Sequence, residues 1–291
     1  MVQFLADQAE GLRKLLGHDF VRILTLTSSG HGVGKSTMVL NLAAALANAG
    51  KHVLILDENP GKHNLTAMMG VKRAYDLMDV VRFGRSLDEV MIPGPDGVSI
   101  LQASHGGSQA LAALSELELD NLVSRMHDAA RPVDLILVDA AAGHASRLLS
   151  PTLHTQEIVV VLSAEGITDA YAHIKMMNLN HGKRHFKVLV NRVRSEDEAR
   201  AVFENMSKVA RRFLAISLEF IGFVHQDDAL RQASRARGAF LDAHPQSISS
   251  NCFRTIAESI ARTPGTQHRH MNVGEIVQQL LQGGRLSAAE I

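Results

Sequence analysis

The chain has very little cysteine and no excess of charge of either sign. A single cysteine, Cys252, among 291 residues excludes an intrachain disulfide and a metal cluster held by several cysteines. Lys and Arg together number 30, as do Asp and Glu, so the formal net charge is zero. This balance argues against a protein that binds nucleic acid through bulk electrostatic attraction. The low cysteine content fits a reducing cytoplasm.

Long apolar runs are missing as well. No stretch of the sequence is long and apolar enough to cross a bilayer. The N-terminus carries Asp7 and Glu10 and lacks the basic start and apolar run of a signal peptide. We therefore expect a cytoplasmic protein whose contact with the cell membrane, if any, is peripheral and at its inner face. The closest histidine pair, His268 and His270, lies in a polar stretch, and we interpret both as surface residues.

Short runs of Val, Ile and Leu recur along the chain and predict strands. They cover residues 20–27, 52–57, 98–104, 133–140, 157–164, 186–191 and 218–224. Several are apolar at consecutive positions, as in strands that are buried on both faces. Helical patterns lie between them, at residues 35–49, 107–130, 168–180, 195–213 and 246–262. The alternation predicts an α/β fold with a doubly wound, mostly parallel sheet.

No repeat or low-complexity linker divides the chain, so we expect one domain over residues 18–262 with an appendage at each end. In the first appendage, residues 1–17, a predicted helix has an apolar face made of Leu5, Ala9, Leu12 and Leu16. In the second, residues 263–291, a similar face is made of Val273, Ile276, Val277, Leu280 and Leu281.

A glycine-rich loop between the first predicted strand and the next helix has the features of a phosphate-binding P-loop. It ends in Gly34-Lys35-Ser36, but Ser29 stands where the usual motif begins with glycine. Backbone N–H groups of such a loop and the positive end of the helix dipole attract phosphate. We expect Lys35 to neutralise the phosphates and Ser36 to bind Mg²⁺. The candidate nucleotide-binding residues of the loop are Gly30, His31, Gly32, Val33, Gly34, Lys35, Ser36 and Thr37.

Two aspartates end other predicted strands. Asp57 follows "HVLIL" and Asp139 follows "VDLILV". Ligands of open α/β sheets bind at the carboxyl ends of the strands, so both carboxylates can face Mg²⁺ beside the P-loop. Either aspartate alone would be weak evidence, since residues at strand ends often cap helices. Together with the loop, they predict a metal site formed by Ser36, Asp57 and Asp139.

The segments "GHGVGKST", "LILDENPGKHNL" and "LILVDAAAG" resemble the deviant-P-loop ATPases of the MinD/ParA type. Four further segments resemble FlhG proteins, also called FleN or YlxH, which regulate flagellar number and placement. These are "DQAEGLR", "ITDAYAHIK", "VLVNRVRSEDEARAVF" and "DDALRQA". The similarity covers most of residues 5–262. It implies a MinD-like P-loop NTPase fold and binding of ATP or ADP with Mg²⁺.

The resemblance also assigns roles and shows departures. It places catalytic functions at Lys35, Asp57, Asn59 and Asp139, and further nucleotide contacts at Asn64, Asn191 and Asp227. The family carries an extra lysine where this chain has Gly30, a glycine at His31, and a water-positioning aspartate at Asn59. Transition-state charge stabilisation dominates phosphoryl transfer. We therefore expect nucleotide binding with slow or absent hydrolysis.

The appendages are the expected contact regions. In FlhG proteins the N-terminal motif contacts and stimulates FlhF, a signal-recognition-type GTPase, which implies a partner-binding face made of Asp7, Gln8, Leu12 and Arg13. The alternative is a helix that covers the domain's own surface. The C-terminal helix has a polar face with little Lys or Arg, so both membrane contact and docking on the core stay open. A flagellar transcription regulator or a switch-complex protein, and a weakened nucleotide-dependent homodimer, complete the implied partners.

Three functions are compatible with these observations. The first is an FlhG-like regulator that uses its nucleotide state as a switch. The second is a ParA-like partition ATPase acting on DNA, which the zero net charge and the "DQAEGLR" motif disfavour, so we expect no nucleic acid partner. The third is a non-catalytic scaffold with a decayed site. Nucleotide binding separates the first from the third.

Overall fold

A computed structural model of the chain describes residues 21–59, 64–71, 75–103, 114–128, 133–141, 157–233 and 238–263. Its strands are β1 (Arg22–Thr27), β2 (Val53–Asp57), β3 (Ile92–Pro93), β4 (Val98–Gln102), β5 (Leu135–Asp139), β6 (Glu157–Ser163), β7 (His185–Val193) and β8 (Ser217–His225). Its α-helices are α1 (Lys35–Asn48), α2 (Leu65–Met68), α3 (Leu77–Phe83), α4 (Leu87–Val90), α5 (Glu116–Asp128), α6 (Ile167–His181), α7 (Glu196–Leu214), α8 (Asp228–Ala233), α9 (Phe240–Ala243) and α10 (Ile248–Arg262). A 3₁₀ turn at Ala164–Gly166 precedes α6.

The strands form one sheet in the order β3-β4-β2-β5-β1-β6-β7-β8. All neighbouring strands are parallel except β3, which runs antiparallel to β4 at the edge. The chain passes from β1 through β2 to the edge formed by β3 and β4, returns to β5 beside β1, and then continues through β6, β7 and β8 on the other side. This winding to both sides of β1 confirms the doubly wound, mostly parallel α/β fold. The carboxyl ends of β1, β2 and β5 lie side by side, and this edge carries the candidate site.

Helices cover both faces of the sheet and create three buried clusters. On one face, α1 packs against β1, β2 and β5, and α10 packs against α1 and β8, through residues such as Leu42 and Phe253. On the other face, α3, α4 and α5 cover β2, β4 and β5, while α6 and α7 cover β6 and β7. Because both faces are buried, the central strands are apolar at nearly every position. This explains the continuous runs in the sequence.

The predicted elements agree with the structure, with three differences. The helix predicted over 107–130 is interrupted at 114–115, because Ser115 and Glu118 form a capping box that begins α5 at Glu116 and in which each side chain accepts the other's backbone N–H. The predicted positions 107–113 lie outside the described residues. Strand β3 was not predicted because it has two residues and contains Pro93, which only an edge strand tolerates. The short helices α2, α3, α4, α8 and α9 lay below the length at which periodicity is informative.

At the opposite, amino-terminal edge, a buried ion-pair network joins three strands. Glu157 at the start of β6 accepts two hydrogen bonds from Arg22 of β1, at 2.6 and 2.8 Å, and lies 3.3 Å from Lys187 of β7. Arg22 also donates to the carbonyl of Thr263, just beyond α10, at 2.9 Å. The first and last described residues therefore lie together, far from the candidate site. Residues 1–17 and 264–291, with the predicted appendage helices, lie outside the described residues, and no described helix is long and apolar enough to span a membrane.

Candidate nucleotide-binding site

The glycine-rich loop lies between the buried strand β1 and the first turn of α1. Gly32 and Gly34 have φ angles of +80° and +93°, a backbone conformation that favours glycine. A Cβ at Gly34 would lie 2.7 Å from Nδ2 of Asn191. Both glycines are therefore required by the shape of the loop.

Gly30 differs from these two glycines. Its φ angle is not in the left-handed region, and no heavy atom lies within 4 Å of a Cβ built on it. The neighbouring His31 is exposed. A Cβ is thus accommodated at position 30 without a clash.

Lys35 and Asp139 form a buried ion pair at the mouth of the loop. The ammonium group of Lys35 contacts Oδ1 of Asp139, and the two side chains are 7% and 0% exposed. Within the described part of the chain, no hydrogen-bond donor reaches the other carboxylate oxygen, Oδ2. A fully buried carboxylate oxygen without a hydrogen-bond donor destabilises the folded protein unless a bound ligand or ion interacts with it.

Asp57 lies directly beside Asp139, because β2 and β5 pair with these two residues in register. Its Oδ1 accepts the backbone N–H of Asn59 at 3.0 Å, and its Oδ2 accepts the N–H of Leu65 at 2.8 Å. Burial, and next the charge of Asp139, raise the pKa of Asp57 from 3.8 to about 6, although these hydrogen bonds favour the charged form. The site therefore holds a poorly solvated acidic pair that a cation would stabilise.

Asn59 bridges the ends of the same two strands. Its Nδ2 donates to Oδ1 of Asp57 at 3.0 Å and to the backbone carbonyl of Asp139 at 3.1 Å. An aspartate could make neither bond and would add a third carboxylate to the cluster. Glu58 adds a second connection, since its carboxylate accepts the N–H of Ala141 at 2.9 Å. Asn59 thus joins the segments that follow β2 and β5.

Buried polar residues that the sequence did not single out support this region. Gln102, at the end of β4 beside Asp57, accepts a hydrogen bond from the hydroxyl of Thr66 at 3.1 Å. On the other side, the hydroxyl of Thr27, which ends β1, lies 2.8 Å from Nε2 of His173 on α6. Because their partners lie far away in the chain, local periodicity carried no signal for Gln102 or His173.

The remaining predicted residues are placed as follows. Ser36 and Thr37, in the first turn of α1, are partly exposed beside Lys35. Asn64 is buried and caps α2 by accepting the N–H of Ala67 at 2.9 Å. Asp227 caps α8 by accepting the N–H of Ala229 at 2.9 Å. The predicted partner-binding residues Asp7, Gln8, Leu12 and Arg13 lie outside the described residues.

The end of β7 contacts the glycine-rich loop from outside. Nδ2 of Asn191 donates to the carbonyl of Val33 at 2.8 Å. The guanidinium of Arg192 donates to the carbonyl of Gly32 at 2.7 Å, and Arg192 has a φ angle of +61°. The sequence marked Asn191 through the family resemblance but gave no signal for Arg192.

The residues present fit a magnesium–nucleotide complex. Two adjacent carboxylates and a serine hydroxyl offer oxygen ligands, which Mg²⁺ prefers, and one carboxylate oxygen lacks a donor. The described residues contain no group of three or more His, Cys, Asp or Glu that could hold a metal. A Mg²⁺ ion at these residues would take its other ligands from phosphate and water, as is usual for this ion.

The raised pKa of Asp57 predicts a pH-dependent affinity. The folded protein keeps this proton up to about pH 6, whereas binding to Mg²⁺ requires the charged carboxylate. The affinity for ADP with Mg²⁺, measured by calorimetry, should rise between about pH 5 and pH 7. Without nucleotide, the same shift should lower the free energy of unfolding as the pH rises from about 4 to 6, because the folded state binds the extra proton.

The control for this prediction is the same titration with EDTA in place of Mg²⁺. The increase of affinity with pH should then disappear. An affinity that stays constant from about pH 5 to pH 7 with Mg²⁺ present would contradict a role of Asp57 in binding the ion.

Comparisons with known proteins agree with this geometry. Residues 24–238 match the family described as the CobQ/CobB/MinD/ParA nucleotide binding domain. The antiactivator FleN of Pseudomonas aeruginosa is 33% identical over 264 residues, which cover 90% of this chain and 94% of FleN. The flagellum site-determining protein YlxH of Helicobacter pylori is 28% identical, with 81% and 80% covered.

A solved structure shows the same fold. The septum site-determining protein MinD of Pyrococcus horikoshii, complexed with Mg-ADP, superposes with a TM-score of 0.60 at 19% identity and covers 86% of this chain and 99% of its own. The family match spans the strands, the P-loop and both strand-end aspartates. The chain therefore belongs to the CobQ/CobB/MinD/ParA family of nucleotide-binding domains and has the MinD-like P-loop NTPase fold.

Proposed function

We propose that this protein is an FlhG-like regulator of flagellar number or placement that uses bound ATP or ADP with Mg²⁺ as a switch. The observation that carries the nucleotide role is the buried set of Lys35, Asp57 and Asp139 at the mouth of the P-loop. The flagellar role is supported by the similarity to FleN and YlxH, whose names give them flagellar or antiactivator functions.

The residues of the site bind and orient the nucleotide. Lys35, which contacts Asp139 in this structure, turns part of its ammonium group towards the phosphates. The N–H groups of the loop and the dipole of α1 add positive potential at the same place. Ser36, Asp57 and Asp139 would hold Mg²⁺, which would shield the phosphate charge. The family resemblance assigns Asn191 to the adenine edge, a contact that would add to the bonds its amide makes with Val33 and Arg192. Asn64 and Asp227 help shape the loops around the nucleotide.

Hydrolysis is proposed to be slow or absent. Gly30 offers no cation to a partner's phosphates, and Asn59 cannot accept a proton from water. In addition, the amide of Asn59 is engaged with Asp57 and Asp139, so it is not directed at an attacking water. The nucleotide-dependent homodimer is weakened for the same reason, because the cation that would cross the interface is missing.

The partner is proposed to be an FlhF-like GTPase, contacted by Asp7, Gln8, Leu12 and Arg13. A flagellar transcription regulator or switch-complex protein is a second partner. We place the protein in the cytoplasm, with peripheral contact at the inner face of the membrane through residues 272–285. The ends of the described chain, Arg22 and Thr263, lie together on the edge opposite the candidate nucleotide site.

The test uses the full chain and a cognate FlhF-like GTPase. The protein should accelerate GTP hydrolysis, and Gln8→Ala should reduce this acceleration more than it reduces binding, because a glutamine orients an attacking water. Deleting residues 1–17 should abolish the acceleration. The deletion should leave the ADP affinity and the melting temperature nearly unchanged, because short helices of this kind gain stability only on a binding surface.

Two outcomes would count against this proposal. A sharp fall of the melting temperature on deletion would show that the N-terminal helix covers the domain's own surface. An unchanged GTPase rate with the intact protein would remove the partner role, while leaving nucleotide binding to be judged separately.

A further inference from the structure

Two consecutive residues at the end of β7 bind two consecutive carbonyls of the glycine-rich loop. The side chain of Asn191 donates a hydrogen bond to the carbonyl of Val33 at 2.8 Å, and the side chain of Arg192 donates one to the carbonyl of Gly32 at 2.7 Å. Asn191 is itself fixed, since its Oδ1 accepts the backbone N–H of Arg192 at 2.9 Å. The two side chains therefore act as one clamp on the outside of the loop.

The clamp determines where the loop N–H groups point. A trans peptide unit directs its N–H opposite to its C=O, and the described residues contain no cis peptide bond. Holding the carbonyl of Gly32 outward turns the N–H of Val33 inward. In the same way, holding the carbonyl of Val33 outward turns the N–H of Gly34 inward. Inward N–H groups of successive residues form the concave site that binds an anion.

Arg192 lies at a β-bulge, where the pairing of β7 with β8 shifts register between Asn191 and Val193. Its φ angle of +61° costs free energy in a residue other than glycine, asparagine or aspartate. Glycine would remove this cost but could not reach the loop. The guanidinium is charged, so its hydrogen bond to Gly32 is charge-assisted, although its exposure to solvent screens part of that charge.

We infer that Arg192 is a positioning residue that holds the P-loop in its phosphate-binding shape and, through Asn191, links recognition of the base to recognition of the phosphates. This inference rests on the proposed nucleotide function. It concerns a side chain that acts through the loop backbone, without touching the phosphates.

The deciding variant is Arg192→Gly, because glycine accepts the φ angle and the fold should be kept. The affinity for ADP with Mg²⁺ should fall about tenfold, as expected for the loss of one charge-assisted hydrogen bond that organises the site. Inorganic pyrophosphate, measured by displacement of a fluorescent ADP analogue, should lose the same factor. The melting temperature without ligand should stay equal or rise, since the backbone strain is relieved.

Two control variants separate position from charge. Arg194→Ala removes the same charge two residues further along and should leave both affinities unchanged. Arg192→Lys keeps a cationic donor near Gly32 and should recover part of the lost affinity.

The results can overturn the inference without ambiguity. If wild-type protein binds ADP and Arg192→Gly binds it equally well, Arg192 does not organise the loop, and the proposed function stands. If Arg192→Gly loses ADP affinity but keeps pyrophosphate affinity, the residue acts on the base alone and the inference is wrong. If wild-type protein binds neither ligand, the proposed function itself fails.

Discussion

The Lys35→Ala variant should bind no ATP or ADP at concentrations at which the wild-type protein is saturated. Lys35 is the cation at the mouth of the P-loop, and its removal leaves the phosphates facing the buried carboxylates of Asp57 and Asp139. Loss of a single hydrogen bond would only weaken binding, but here repulsion replaces attraction in a site of low dielectric. Calorimetry with and without Mg²⁺ measures the effect.

The same variant should be less stable without nucleotide. Breaking a buried ion pair leaves Asp139 uncompensated, at a cost of about 3 kcal/mol in the free energy of unfolding. The double variant Lys35→Ala/Asp139→Ala removes both partners and should recover most of this stability, while still binding no nucleotide. Lys208→Ala, at an exposed position of α7, is the matched control and should change neither property. Nucleotide binding by the Lys35→Ala variant would contradict the assignment of Lys35 to the phosphates.

ATP turnover should rise strongly when Gly30→Lys and Asn59→Asp are combined. A Cβ at position 30 meets no heavy atom within 4 Å, so a lysine can start there without a clash, and the aspartate supplies a group that can take a proton from water. A cation inserted at the transferring phosphate accelerates hydrolysis by roughly 10³-fold or more in related chemistry. We expect neither single change to reach the rate of the pair, and steady-state phosphate release measures the gain.

Asn59→Asp alone should instead lower stability. It removes the donation from Asn59 to Asp57 and Asp139 and adds a carboxylate next to Asp57, whose pKa is already raised by burial. Mg²⁺ should restore part of the loss by neutralising the cluster.

Controls for the turnover experiment are available in the same loop. Gly30→Gln with Asn59→Asp has a long side chain without charge and should stay slow. Adding Lys35→Ala to the active pair should abolish the gain. A wild-type rate equal to that of an intact MinD-type relative, assayed side by side, would refute the proposal that hydrolysis is weakened.

Much of the fold could be predicted because its signals are local. Central strands buried on both faces produce runs such as "VLILD" and "LILVD", and a capping box or a glycine marks where helices begin and end. The glycine-rich loop and the strand-end aspartates Asp57 and Asp139 could be placed in one site for a topological reason. In a parallel sheet the carboxyl ends of all strands meet at one edge.

What the sequence by itself determined is the fold class, the P-loop and the residues that end the strands, since each depends on neighbours within a few positions. Only the tertiary structure decided how these residues are bonded. Arg192 and Gly32 are 160 positions apart, and Asn59 and Asp139 are 80 apart. Whether Asn59 faces water or joins two strands, and whether Gly30 is crowded or open, depends on how distant segments pack. Periodicity cannot encode such contacts, because they arise only when the strands pair in register and the loops between them meet.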